Sequence, residues 1–384
     1  MINVLYLKIY LKMKDYIFIL GRDPELSIFE IISYLEARNI NYKLKHYSKQ
    51  VAIINLLDLD FKKFINNLGG TVKIAEIISE TNKIDEIEYN LEKNLKYTQK
   101  DKIRYAISYY DKNLLSFIES YLKERFKKEY IKAIYKKPNK KFTGQVMPSK
   151  LVKKGIIETG FELILYKDYI AQTIAVFNPK EYEKRDLERP VKDYLKAISI
   201  RLAKILINLS QVKENSTLLD PFCGTGMILQ EALLSNINVI GIDVDEKSAD
   251  ASKKNLEWLE NNYKINNSWK VMQGDSKNIT KFIKEKIDVI VTEPYLGPYI
   301  KKLPTMQEAK NIINSLKQDY TIFLKEFYSL LNENGKVVII VPKYKTIEHK
   351  QIFFNFEELL KETGFEIYNI FPEIKIPIIY EQES

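Results

Sequence analysis

Four short segments in the second half of the chain carry residue types whose order could bind a nucleoside and accept a proton. Leu219-Asp220-Pro221-Phe222-Cys223-Gly224-Thr225-Gly226 follows an apolar run and opens a helical pattern. Its glycines let backbone approach a ligand closely, and a helix N-terminus favours an anionic group such as a carboxylate. The spacing fits neither the dinucleotide nor the phosphate-loop motif, and a tight strand-to-helix turn would use the same glycines. Asp243 closes the next apolar run, Val239-Ile240-Gly241-Ile242, roughly 20 residues on, where an acid accepts hydrogen bonds from ribose hydroxyls. Asp275, in Gln273-Gly274-Asp275-Ser276, stands after the third run, where an adenine amino group would lie. Singly, each acid suits an N-cap; three acids ending consecutive strands of one sheet point to a ligand. The fourth segment sets Glu293-Pro294-Tyr295 after Asp288-Val289-Ile290-Val291-Thr292: an acid to receive a proton, a proline to stiffen the turn, a ring to stack on a base.

These segments require a sheet of alternating strands and helices. The periodicity predicts strands at Thr217–Leu219, Asn238–Ile242, Trp269–Met272, Asp288–Val291 and Lys336–Val341. Helices are predicted at Gly226–Leu234, Glu246–Leu259, Ala309–Leu331 and Phe354–Thr363, and strand-like 365–370 and 376–380 suggest an antiparallel hairpin at the edge. Such alternation specifies an α/β, doubly wound, largely parallel sheet, whose ligands bind beyond the carboxyl ends of the strands. A helix at Ile198–Leu209 precedes it.

The first half reads differently. Strands are predicted at 16–20, Val51–Leu56, Lys102–Ser108, 161–166 and 169–177, with helices at Ser27–Leu35, Phe61–Leu68 and Leu114–Lys127. That is an α+β pattern of short elements. Asn178–Pro190, polar and charged, reads as a linker. The expected division is 1–178, then a linker and pre-catalytic helix over 179–210, then 211–384.

Charge sharpens the contrast. The net charge of +9 is carried by residues 1–178, and within them 121–154 hold 12 basic against 2 acidic residues. Focused positive charge is the footprint of a surface that neutralises phosphates, although a solvated lysine-rich helix has the same composition. The candidate contacts are Lys136, Lys137, Lys140, Lys141, Lys150, Lys153 and Lys154. One cysteine and two histidines leave no disulfide and no Cys- or His-rich metal site. Cys223 has no nearby histidine in sequence to activate it, so packing is favoured over nucleophilic attack. No apolar run reaches the roughly 18 residues that span a bilayer, and the lysine-interrupted N-terminus lacks a cleavage site; a cytoplasmic protein is expected, with Met13 as an alternative start.

Taken in order, Asp-Pro-Phe-Cys-Gly-Thr-Gly, the second-strand acid, Gly-Asp and the acid-Pro-aromatic segment resemble the amino-methyltransferases. Leu20-Gly21-Arg22-Asp23-Pro24-Glu25-Leu26-Ser27, the stretch from Gln145 through Gly155 with Phe161-Glu162-Leu163, and Tyr182 through Asp193 look like the tRNA guanine-10 N2-methyltransferase family, which carries a THUMP RNA-binding domain. The resemblance spans the chain from Met13. It implies a C-terminal Rossmann-like methyltransferase sheet and an N-terminal α+β THUMP-type domain. It implies S-adenosylmethionine held by Asp220, Pro221, Phe222, Gly224, Thr225, Gly226, Asp243 and Asp275, and no metal. Glu293, Pro294 and Tyr295 would form the catalytic slot. The partner would be tRNA or another structured RNA, ribosomal RNA included, and an activator subunit is left open. A cofactor fold that binds RNA without turnover is the alternative from another class. Two departures stand out: the family's second proline in the fourth-strand motif is absent, and its Pro-Pro in the pre-catalytic helix is Ser199-Ile200 here. The first creates two registers, Thr292-Glu293-Pro294-Tyr295 or Glu293-Pro294-Tyr295-Leu296. The flanking Val291-Thr292 and Gly297 favour the second.

Overall fold

A computed structural model describes residues 13–98, 101–138, 144–193 and 198–370. The chain divides into two compact units, one of residues 1–28 and 39–184, the other of residues 29–38 and 185–384.

Elements β1 (Lys14–Leu20), α1 (Pro24–Ala37), β2 (Tyr42–Tyr47), β3 (Val51–Leu56), α2 (Phe61–Asn66), β4 (Thr71–Glu80) and α3 (Ile84–Asn94) come first. They are followed by β5 (Lys102–Tyr109), α4 (Leu115–Lys128), β6 (Lys132–Tyr135), α5 (Pro148–Lys153), α6 (Ile156–Thr159), β7 (Phe161–Tyr166), β8 (Tyr169–Val176) and α7 (Pro179–Glu188). The eight strands form one mixed sheet in the first unit, ordered β2-β3-β1-β4-β8-β7-β5-β6. Helix α4 shows how the composition makes both core and basic face. Ile118, Leu122 and Phe126, four residues apart, are buried on one stripe, and Lys123, Lys127 and Lys128 are left outside. Inside the sheet, Lys73 and Glu162, 2% and 0% exposed, pair at 2.6 Å. Ser108 Oγ donates to Glu162 Oε1 at 2.6 Å and Thr173 Oγ1 to Oε2 at 2.7 Å. Burying that ion pair is tolerable because its hydrogen-bonding capacity is met by neighbours.

The second unit holds α8 (Ile200–Leu209), β9 (Thr217–Asp220), α9 (Met227–Leu233), β10 (Asn238–Asp243), α10 (Glu246–Asn262), β11 (Trp269–Gln273), a 3₁₀ segment (Ser276–Lys281) and β12 (Ile287–Thr292). Then come α11 (Met306–Leu330), β13 (Leu331–Ile339), β14 (Lys343–Lys345), β15 (Gln351–Phe353) and α12 (Phe356–Thr363). The sheet runs β11-β10-β9-β12-β13, all parallel. The strand order reverses between β9 and β12, which is where a doubly wound sheet opens its ligand crevice.

Asn178–Pro190, expected as a linker, holds α7, whose Tyr182 is buried and whose Arg185 reaches a buried carboxylate. Residues 365–369 form no strand. Among the described residues of this unit the antiparallel hairpin is β14–β15, paired Lys343↔Phe353, and the strand expected at 376–380 lies outside the described residues. Where the family's Pro-Pro would stand, Ser199 caps α8 by accepting the Leu202 amide at 3.2 Å. A side-chain cap thus replaces a proline-initiated first turn.

Candidate active site at the strand-order reversal

Strands β9 and β12 deliver the central pair. Thr292 Oγ1 donates to Asp220 Oδ1 at 2.7 Å, and the Phe222 amide donates to the same oxygen at 3.1 Å. Asp220 is 2% exposed, and burial pushes its carboxyl up to about 7 against the two hydrogen bonds, with the charges of Asp243 and Glu293 adding to the rise. It is therefore a holding group for the turn. The pKa has a consequence for stability. As pH rises from the unfolded value near 3.8 through about 7, the unfolded chain sheds this proton before the folded one does, so the Asp220 contribution to stability is lost across that window. Asp220→Asn keeps an oxygen to accept both hydrogen bonds. Its melting temperature relative to wild type should rise between pH 5 and pH 8; a difference independent of pH would contradict this titration.

From Asp220 the chain turns through the glycine loop. Gly224 and Gly226 have φ of +50° and +81°, a region that side chains with a Cβ rarely adopt. A Cβ on Gly226 would lie 2.4 Å from Ser252 Oγ, whereas one on Gly224 would meet nothing within 4 Å. Gly226 closes the loop against α10, and Gly224 leaves it open above. Asp243 fixes this shape from the end of β10: its Oδ2 accepts the Gly224 amide at 2.8 Å and its Oδ1 the Asp245 amide at 2.9 Å. Each oxygen keeps acceptor capacity for a further donor. Asp275 is exposed and caps the 3₁₀ segment by accepting the Lys277 amide at 2.9 Å. Ser276 Oγ donates to the Pro221 carbonyl, which ties the third strand end to the loop. Cys223 is buried, and burial raises its thiol far above the usual range. A nucleophilic role does not suit it.

Glu293 follows Thr292 directly. It is half-buried, and it has no hydrogen bond or ion pair among the described residues. Burial alone raises its carboxyl to about 7. Pro294 is buried and Tyr295 is 61% exposed. Tyr320 Oη donates to the Tyr295 carbonyl at 3.2 Å and Tyr344 Oη to the Leu296 carbonyl at 2.6 Å. The backbone after the acid is thus pinned by two phenols while the acid and the Tyr295 ring remain available.

Supporting residues escaped the sequence reading. Asn255, fully buried on α10, accepts the Val191 amide at 2.9 Å and donates to the carbonyls of Val191 and Thr225 at 3.0 and 2.9 Å. It clips the segment before α8 to the glycine loop. Glu231 on α9 takes a two-pronged contact from Arg185 at 3.0 and 3.1 Å and lies 3.5 Å from Lys204. A lysine within the apolar run of α8 was the available signal for this cluster; Asn255 gave none.

The basic candidates lie in the first unit. Lys150 Nζ on α5 donates to the Lys137 carbonyl at 2.7 Å, bringing α5, with Lys150 and Lys153, against the segment of Lys136 and Lys137. Lys154 is the C-cap of α5. Lys140 and Lys141 lie outside the described residues.

A parallel sheet in this order, with a glycine loop after its first strand and an unpaired acid after its fourth, defines a Rossmann-like methyltransferase. Residues 189–357 match a family model described as an RMKL-like methyltransferase domain, and residues 11–254 match one described as a DNA methylase. A tRNA (guanine(10)-N2)-dimethyltransferase of Methanothermobacter thermautotrophicus is 27% identical over 328 residues, covering 85% of this chain and 88% of that relative. A probable tRNA (guanine(10)-N2)-dimethyltransferase of Methanothermococcus thermolithotrophicus is 35% identical over 126 residues, 32% of this chain and 78% of that relative. The chain belongs to the methylase family whose model spans residues 11–254, and to the family of the tRNA (guanine(10)-N2)-dimethyltransferases. A possible methylase from Clostridium difficile 630 shares the fold, with a TM-score of 0.50 at 16% identity over 92% of both chains. Among the described residues no helix is long and apolar enough to cross a membrane.

The cofactor of this family is S-adenosylmethionine, and the residues fit it. Thr225 Oγ1 is buried without a hydrogen-bond partner, the space above Gly224 is open, and Asp243 retains acceptor capacity for vicinal hydroxyls.

Proposed function

We propose that the chain methylates the exocyclic N2 of a guanosine in tRNA, at position 10 as in its named relatives, in the cytoplasm. Glu293 carries this reading: a half-buried acid with no partner, beside the strand-order reversal, on backbone pinned by Tyr320 and Tyr344. S-adenosylmethionine, held by Asp220 through Gly226, Asp243 and Asp275, supplies an electrophilic methyl on its sulfonium. A guanine N2 is a weak nucleophile because its lone pair is delocalised into the ring, so the protein must orient it in line and take up the proton it sheds. Glu293 accepts that proton, Pro294 fixes the turn, and the Tyr295 ring stacks on the extruded base.

Transfer of labelled methyl to bulk tRNA, with mass spectrometry of the nucleosides, tests the assignment and counts the methyls added. Ribosomal RNA and DNA serve as competing substrates, the latter because one matching family model describes a DNA methylase. Label entering only ribosomal RNA or DNA would refute the tRNA reading, and no transfer to any of them would refute the enzyme.

Phosphate contacts belong to the basic segment of the first unit. Reversing the charge of Lys136, Lys137, Lys140 and Lys141 should weaken tRNA binding and flatten its dependence on salt, by roughly one unit of log–log slope for each phosphate no longer neutralised. Affinity for S-adenosylhomocysteine should not change. Normal tRNA binding by this variant would make residues 121–154 a solvated face only.

A further inference from the structure

The segment after the candidate acid presents a second feature. Residues 300–304 and the start of α11 line a cleft of about 680 Å³, whose walls include Lys301, Lys302, Leu303, Asn311 and Ile312. Tyr299, which precedes the lining residue Ile300 in the chain, is 88% exposed, and Leu303 in the wall is 51% exposed. Tyr299 makes no ring contact or hydrogen bond among the described residues, and Lys301 and Lys302 make no ion pair there. The wall also holds a carboxylate, Glu308, which accepts the Thr305 amide at 2.7 Å in the capping box of α11 and keeps its negative charge. The cleft therefore carries two lysine charges, offset in part by the ionised Glu308, beside exposed apolar area.

This segment is supported rather than loose. The Ile347 amide donates to the Pro304 carbonyl at 3.0 Å, the Met306 amide to Glu348 at 3.0 Å, and Tyr344 Oη to the Leu296 carbonyl. The β14–β15 hairpin thus holds the segment at its two ends, Leu296 and Pro304–Met306, continuous with Glu293–Tyr295. A bare tyrosine beside two lysines on a supported segment presents a stacking platform flanked by phosphate contacts, the combination used to bind single-stranded nucleotides.

We propose that residues 298–304 hold a nucleotide flanking the target guanosine, Tyr299 stacking on its base and Lys301 and Lys302 neutralising the adjoining phosphates. This rests on the tRNA reading above. It assigns to the catalytic unit a contact of its own with the RNA, one that spreads the strand so that the target base can leave the stack.

The test uses the full chain and a tRNA transcript, with kcat and KM for tRNA and calorimetry with S-adenosylhomocysteine. Tyr299→Ala should raise KM for tRNA about tenfold or more, the size of one base–aromatic stack, and Tyr299→Phe should restore it. The pair Lys301→Glu with Lys302→Glu should also raise KM, by a larger factor at low salt than at high salt. Affinity for S-adenosylhomocysteine should be unchanged in all three. An unchanged KM in Tyr299→Ala and in the double-lysine variant, with an active wild type, would overturn the platform and leave the tRNA assignment standing. Equal losses in Tyr299→Phe and Tyr299→Ala would overturn stacking as its basis. A wild type inactive on tRNA would overturn the parent reading and this inference together.

Discussion

Replacing Asp243 by alanine is expected to lower affinity for S-adenosylhomocysteine by at least about 10²-fold with the fold retained. Two hydrogen bonds from ribose hydroxyls to a charged acceptor contribute roughly 1.5–3 kcal/mol each. The geometry adds a second loss. Asp243 Oδ2 also holds the Gly224 amide, so the alanine variant frees the loop at the residue where the crevice opens. Asp243→Asn keeps an acceptor oxygen for one of these contacts and should fall between wild type and alanine. Asp275→Ala should cost less, because Asp275 is exposed and already caps the 3₁₀ segment. Titration calorimetry measures all three, and circular dichroism checks the fold. Unchanged affinity in Asp243→Ala would remove Asp243 from the cofactor site.

Much of this arrangement was legible in the sequence because it obeys simple periodicities. The central strands β9, β10 and β12 are short apolar runs that end in an acid or Thr-Glu, and α10 between them buries one stripe while α9 is buried all round. Elements whose stability comes from tertiary contacts were hidden. Strand β4 carries Lys73 and Glu76 within TVKIAEIISE, and a charge in a sheet reads as exposure until its partner, Glu162, is placed beside it. Strand β2 alternates Tyr42, Leu44 and His46 with two lysines on an edge, too polar to stand out. Helix α7 looked like a linker because nearly all its residues are polar; its anchors are Tyr182 and the Arg185–Glu231 pair, and that pair spans 46 positions. Asn255 was equally silent, since an asparagine in a helix is ordinarily a surface residue. The site acids were readable in type and order. Their division of labour was not, because it depends on burial: Asp220 is enclosed and hydrogen-bonded, Asp243 shapes the loop, and Glu293 alone lacks a partner.

That division bears on the two registers of the fourth-strand motif. If Thr292 occupied the first slot, its hydroxyl should face the substrate. It is instead fully buried and donates to Asp220, whereas Glu293 is free at the turn. Glu293→Gln is therefore expected to lower kcat by about 10²-fold or more, the size of a missing proton acceptor, with affinities for cofactor product and tRNA nearly unchanged. The pH dependence gives an independent reading. A carboxyl raised to about 7 by burial accepts a proton only once ionised, so the wild-type rate of the chemical step should climb as pH rises through about 7 and level off above it. That ascending limb should vanish in Glu293→Gln. It should persist in Asp220→Asn, although Asp220 titrates in the same region, because Asp220 is enclosed by Thr292 and Phe222. Thr292→Ala should lose much less activity than Glu293→Gln; by removing a hydrogen bond that lowers the Asp220 pKa, it should act on that buried acid and on stability. Single-turnover rates across pH 5.5 to 9 for the four proteins separate the cases. A Thr292→Ala defect larger than that of Glu293→Gln, with the limb intact in the glutamine variant, would place Thr292 in the slot and make Glu293 a bystander.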